Sequence, residues 1–217
     1  MPTIGSIEEK QTFKIPNSKF QIEFPEPFFF IVKVPGRKFT DQEFYEIDAA
    51  NENLRIETNA DGDFEIIPPP FPETSRKNIE IDFQLMSWAR KDKSGVCFES
   101  AAKFTLPKGA KRMPDAAWIL KDRYFKFSEE EWAESFTAIA PYFVTELRSK
   151  SDRLPNLKKK MREYIENGVR LSWLIDPFEK KVHVYRRGGE IEILENPEKV
   201  SGEDVLPGFE LDTTEIW

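Results

Sequence analysis

The chain has 217 residues, enough to bury a large core, and its 39% hydrophobic and 33% charged residues give a globular rather than a disordered composition. A net charge of −7 argues against whole-surface binding to nucleic acid but leaves room for a local basic site. One cysteine and one histidine exclude a disulfide framework, a cysteine-rich zinc site and any site that needs two histidines.

The lone thiol, Cys97, points to a reducing compartment, and its setting in Val-Cys-Phe reads as a buried structural cysteine. Residues 1–11 contain no apolar signal-like core, and the longest apolar stretch, Pro27 to Val32, is far too short to span a bilayer. The expectation is a soluble, cytoplasmic protein with no membrane partner.

In chain order, Thr12-Phe-Lys-Ile15 and Phe20-Gln-Ile-Glu-Phe24 alternate with period two, and Phe28 to Val34 is a stiff apolar run, so residues 12–35 read as extended. Thr40-Asp-Gln-Glu43 is a capping box that opens a short helix to about Asn51. Leu54 to Glu57 and Phe64 to Ile67 flank a turn at Asn59-Ala-Asp-Gly62, a hairpin signal, before the proline-rich break at residues 68–72. Thr74 to Arg90 is expected to be a helix whose Ile79, Ile81, Phe83, Leu85, Met86 and Trp88 form one broad apolar face.

Gly95 to Phe98, Lys103 to Leu106 and Ala116 to Leu120 read as strands, the last entered through Pro114-Asp115. A second capping box at Ser128-Glu-Glu-Glu131 opens a helix to about Phe136, with its acids suited to a helix start. Tyr142 to Leu147 is a buried strand, Leu154 to Asn167 a helix stopped at Gly168, and Val169 to Ile175 a strand ended by a turn at Asp176-Pro177. Lys181 to Tyr185 and Glu190 to Leu194 form a hairpin around Arg187-Gly-Gly189, with His183 facing solvent, and residues 201–217 read as mostly irregular. Trp118 and Trp173 read as core.

There is no internal repeat or low-complexity linker. Strands followed by helices, with antiparallel hairpins at both ends, point to one α/β (α+β) domain with a mixed central sheet. Residues 1–38 are expected to be extended segments of the same domain that occupies 39–217.

Two acids stand out, Asp115 in Met113-Pro-Asp-Ala-Ala-Trp-Ile119 and Glu146 in Tyr142-Phe-Val-Thr-Glu-Leu147. Acids are depleted in strands, and a desolvated carboxylate needs a compensating cation. A Lys or Arg partner is one answer. A divalent metal is the other, and two converging carboxylates suit magnesium. The downstream helix bears on the choice. On a wheel of about 100° per residue, Met161, Tyr164 and Ile165 mark the apolar face, Lys158 and Lys159 fall away from it, and Lys160 falls beside Tyr164. Lys160 therefore points towards the sheet that holds Glu146, either snorkelling along the core edge or serving a site. Between Arg148 and Arg162 lie seven basic residues against one acid, Asp152, which supplies the local basic site.

The blocks Pro141 to Asp152, Leu157 to Tyr164 and Asn167 to Pro177 resemble the Uma-two (Uma2) family, assigned to the endonucleases of the PD-(D/E)XK superfamily. Leu54-Arg-Ile-Glu57, Leu106-Pro-Lys-Gly-Ala110, Pro114-Asp-Ala-Ala-Trp118 and Gly202 to Phe209 support it, in family order, from about Phe39 to Trp217. The resemblance implies a restriction-endonuclease-like fold and a magnesium-dependent phosphodiesterase site in which manganese could substitute. It gives Asp115 the place of the Pro-Asp acid, Glu146 that of the second acid, and Glu57 that of an upstream acid completing the metal set. Arg148 stands where the superfamily has its lysine, and Lys160 takes that role from the helix. Residues 68–72 replace the usual glycine-containing loop, and Lys150 stands where the family commonly has proline.

So read, Asp115, Glu146 and Glu57 hold metal, Lys160 assists the attack on phosphorus, and Arg148, Lys150, Arg153 and Lys158 contact phosphates. DNA is the expected substrate, with RNA an open alternative and a homodimer the assembly that superfamily relatives often adopt. Competing readings are a nuclease-fold binding or regulatory module without catalysis, which the acidic net charge and Arg148 favour, and a nuclease that acts only with a partner protein.

Overall fold

Two hydrophobic periods, two in the strands and about 3.6 in the helices, organise the residues that this computed structural model describes: 10–25, 29–34, 37, 39–133 and 138–217. Packing divides the chain into two units, Met1–Pro69 and Pro70–Trp217.

In the first unit, β1 (Lys10–Lys14) and β2 (Gln21–Pro25) pair antiparallel. β3 (Phe30–Val32), β5 (Phe64–Ile67) and β4 (Arg55–Thr58) pair antiparallel in that order. Helix α1 (Asp41–Ala49) starts at the expected capping box: Thr40 Oγ1 accepts from the Glu43 N–H, and the Glu43 carboxylate accepts from the Thr40 N–H at 2.8 Å. The β4–β5 turn is shaped by Asn59, whose Oδ1 accepts the N–H groups of Asp61 and Asp63, and by Gly62 at φ 86°. Phe64 centres the core, its ring 5.3 Å from Phe13 and 4.9 Å from Phe39.

The second unit holds a six-stranded sheet in the order β13 (Glu192–Glu195), β12 (Lys181–Arg186), β11 (Leu171–Asp176), β10 (Phe143–Leu147), β9 (Ala116–Leu120), β6 (Gly95–Glu99). β10 and β11 pair parallel and the other neighbours antiparallel, so the sheet is mixed, as expected. Parallel strands need a crossover, and α5 (Leu154–Glu166) supplies it between β10 and β11. Alternation along each strand feeds two cores. Ala116, Trp118, Phe143 and Trp173 pack with Ile81, Leu85 and Ala89 of α2 (Pro72–Asp92). Ala117, Ile119, Val144 and Leu174 pack with Met161 and Tyr164 of α5. Short elements complete the unit: β7 (Phe104–Thr105) paired with β8 (Lys111–Arg112), α3 (Lys121–Tyr124) and α4 (Glu129–Ala133). At α4 the Ser128–Glu131 capping box is formed. The expected extensions through Phe28 and to Phe136 fall outside the described residues.

Two expectations are corrected. Helix α2 carries two apolar stripes, not one face. Ile81, Leu85 and Ala89 are buried, whereas Ile79 and Phe83 are each 65% exposed and Met86 is exposed too. Ile79 and Ile81 differ by about 200° on the wheel, so no single face can hold both. His183 does not face solvent but is buried: β13 covers the β12 edge, β12 is enclosed on both faces, and desolvation holds the imidazole below its usual range. Residues 201–217 are mostly irregular, as expected, with one short pairing. β14 (Lys199–Ser201) pairs with β15 (Glu210–Asp212), and Val205, Leu206, Phe209, Leu211 and Ile216 enter the α2-side core. Gln84 of α2 treats β15 as a strand neighbour, donating to Asp212 O at 2.9 Å and accepting from its N–H at 2.8 Å. Strands of three residues are too short to display a period.

Gly95 marks the tightest approach in this unit, since a Cβ there would fall on the buried Trp118 indole. Gly95→Ala is expected to cost about 1–3 kcal/mol by overpacking, read as a lowered urea midpoint with an unchanged slope.

Candidate active site

The β9–β10 register pairs Thr145 with Ala116 and Val144 with Ala117, and the Asp115 N–H continues the ladder to Thr145 O at 3.0 Å. The pairing stops at Ala116 and Thr145, with Asp115 one residue before the first and Glu146 one residue after the second. Asp115 Oδ2 accepts from the Leu147 N–H at 2.8 Å, and its Oδ1 accepts from Asn78 Nδ2 of α2 at 3.2 Å. Two acids distant in the chain are thus brought side by side by one antiparallel pairing.

Helix α5 supplies the cation. Lys160 and Tyr164 are one turn apart and both point at β10. Lys160 Nζ lies 2.8 Å from Glu146 Oε1, and Tyr164 donates its hydroxyl to the same oxygen at 2.8 Å. The ammonium also stands 5.9 Å from the centre of the Tyr164 ring. Lys160 and Glu146 are 8% and 5% exposed, so each is a desolvated charge that depends on the other. A second buried pair, Arg112 Nε to Glu163 Oε2 at 2.5 Å, ties β8 to α5 and fixes the helix above the sheet.

The other residues singled out by sequence fall as follows. Glu57, on β4 of the first unit, is buried and opposite Glu65 in the β4–β5 register. Arg148 turns to Asp176, with its Nη1 2.7 Å from Asp176 Oδ2 and its guanidinium 5.4 Å from the Phe178 ring centre. Asp176 also closes the turn, since its Oδ1 accepts the Phe178 N–H at 3.1 Å. Lys150 and Arg153 are exposed at the entry to α5, and Lys158 is half-buried on its first turns. Cys97 is half-buried against the α2-side core, its thiol pushed up to about 12 by burial and then by Asp82, which suits a structural thiol rather than a nucleophile.

Sequence reasoning missed three groups. Tyr164 marks the apolar face on the helix wheel, and its hydroxyl has no local signal. Asn78 and Asp82 lie one turn apart on α2; on the wheel Asn78 falls within about 20° of buried Leu85, and a polar residue on a buried stripe was the available clue. Burial, then Glu99 and Asp115, push the Asp82 carboxyl up to about 7.

Among the described residues, no group of three or more His, Cys, Asp or Glu side chains is close enough to hold a metal ion. Magnesium is commonly held by one or two carboxylates and keeps several waters, so the Asp115–Glu146 pair fits its needs. The donor set is all oxygen, and Asn78 Oδ1, buried beside Asp115 and without a hydrogen-bond partner among the described residues, adds another hard oxygen. No helix among the described residues is long and apolar enough to cross a membrane.

Comparison with known proteins gives two findings. The Uma2 family model, described as a putative restriction endonuclease, matches residues 41–214. The fold is similar to the crystal structure of a putative nuclease belonging to DUF820 from Anabaena variabilis ATCC 29413, with a TM-score of 0.68, 21% identity, and coverage of 82% of this chain and 97% of that one. No curated protein matches the chain.

Removing one partner of the buried pair strands the other. Lys160→Met is expected to destabilise by about 3–5 kcal/mol, and the Lys160→Met/Glu146→Gln double variant by clearly less than the sum of the singles, in a denaturation cycle. For Asp82 the folded value lies above the unfolded one, so its contribution is full below about pH 4 and is lost as pH rises through about 7. Asp82→Asn should therefore melt above the wild type at pH 8 and lose that advantage at about pH 4.

Proposed function

The chain belongs to the Uma2 family, and from that premise we propose that it is a magnesium-dependent endonuclease that hydrolyses DNA phosphodiester bonds. One observation carries the reading: a buried ammonium, Lys160, lies 2.8 Å from Glu146, and the N–H of the next residue, Leu147, donates to Asp115. Such an acid–acid–lysine set matches the pattern that the family resemblance implies. Asp115 and Glu146 would hold the metal. Magnesium when bound supplies an acidified water and neutralises charge on the phosphate; manganese can take its place.

The chain's own residues do the rest. The Leu147 N–H and Asn78 amide fix the plane of Asp115, and Tyr164 with Lys160 fixes Glu146. The Lys160 ammonium is held in a water-poor setting, where its charge stabilises negative charge that develops on the phosphoryl oxygens far better than it would in water. Lys150, Arg153 and Lys158 line the entry to α5 and hold the nucleic-acid backbone. Arg148, engaged by Asp176, braces the end of β10 against β11.

A catalytically silent nuclease-fold binding module is the second reading, favoured by the two protein donors already on Glu146 Oε1. Incubation with plasmid and single-stranded DNA separates the two. The nuclease cleaves with magnesium or manganese and stops with chelator, and Asp115→Ala and Lys160→Met each slow cleavage by about 10²-fold or more. Absent cleavage favours the binding module, and cleavage unaltered by Asp115→Ala rules out the proposed site. Lys150→Ala and Arg153→Ala should each lower the salt slope of DNA binding by about 1.

A further inference from the structure

α2 contributes a polar group to the proposed site that neither the sequence pattern nor the family resemblance assigns. Asn78 lies on the buried stripe of the helix, and its Nδ2 donates to Asp115 Oδ1 at 3.2 Å across 37 residues of chain. A carboxylate only accepts hydrogen bonds, so the NH₂ end of the carboxamide must face Asp115 and the carbonyl end must face away. The reversed amide would set two acceptors against each other. That carbonyl, Asn78 Oδ1, is buried and meets no hydrogen-bond donor among the described residues.

A buried acceptor left unpaired costs about 1–3 kcal/mol, and an apolar residue of similar shape would avoid the cost. Leucine would fit the stripe, which already holds Ile81, Leu85 and Ala89. The amide is therefore poor packing chemistry but good site chemistry. Both Asp115 oxygens meet a donor, the Leu147 N–H on Oδ2 and Asn78 on Oδ1, so the carboxylate's plane is set from two elements. A magnesium ion bound through Asp115 keeps waters that are strong donors, and Asn78 Oδ1 is an acceptor beside that carboxylate. Groups that orient a metal's ligands in this way typically govern affinity by 10- to 100-fold.

We propose that Asn78 is a positioning residue of the metal site, orienting Asp115 through Nδ2 and accepting a hydrogen bond from a water of the bound cation through Oδ1. The inference rests on the metal-site reading above. It gives α2 a role in the site as well as in the core.

Manganese binding to the full chain, followed by calorimetry and by the loss of the free-ion electron paramagnetic signal, tests it without reference to cleavage. Asn78→Ala is expected to raise the manganese dissociation constant about 10-fold. Asn78→Leu keeps the shape and packs against the apolar stripe, so it should fold at least as stably as the wild type and still show the same loss of affinity. A residue with a purely structural role would behave otherwise, and Gln84→Ala, which cuts the tie from α2 to Asp212, serves as that control: a lower melting temperature with unchanged manganese affinity. Wild-type affinity in Asn78→Leu overturns the role of Asn78 while leaving the metal site standing. Failure of the wild type itself to bind manganese, with Asp115→Ala no different, overturns both.

Discussion

The contact between Lys160 and Glu146 is the constraint around which the second unit is built. β10 lies inside the sheet, between β9 and β11, and all five of its residues are buried, so an acid there is stripped of water. Only a cation delivered from above can compensate it. The parallel pairing of β10 with β11 obliges the chain to cross over the sheet, and the crossover helix is the element that carries the lysine. Topology and electrostatics therefore demand the same helix in the same place. The Arg112–Glu163 pair and the packing of Met161 and Tyr164 hold it there.

Around that pair the molecule spends polar groups where apolar ones would pack as well. Tyr164 reaches Glu146 with its hydroxyl, Leu147 offers its N–H to Asp115, and α2 contributes Asn78. Each fixes a carboxylate that would otherwise sample several rotamers, which is the condition for a metal or a phosphate to meet a prepared site. Asp82, further along α2, is driven towards neutrality by burial and by Glu99 and Asp115, which marks how much negative charge this end of the sheet concentrates.

The basic residues after β10 divide by function. Arg148 is inward and structural, clamped on Asp176 and lying over Phe178, whereas Lys150 and Arg153 remain exposed. In a chain with a net charge of −7, the proposed contact with nucleic acid relies on such a local patch, at the N-terminal end of the helix that bears Lys160.

Much of this was legible in the chain. The capping boxes at Thr40 and Ser128, the turn at Asn59 to Gly62, the alternation of β9 and β10, and the wheel position of Lys160 are local or periodic signals, and each matches the structure because burial of one face imposes its period on the residues. Other features were not. The split of α2 into two apolar stripes, the burial of His183 and the entry of residues 205–216 into the core depend on which elements cover which faces. Asn78 meets Asp115 across 37 positions, Tyr164 meets Glu146 across 18, and Arg148 meets Asp176 across 28. The sequence by itself determined the periods, the helix starts and the identity of the two acids and the lysine, since these follow from nearest neighbours along the chain. The tertiary structure alone decided which donor reaches which carboxylate, because that depends on strand order and crossover, and a hydrogen bond exists only where the fold brings both of its atoms together.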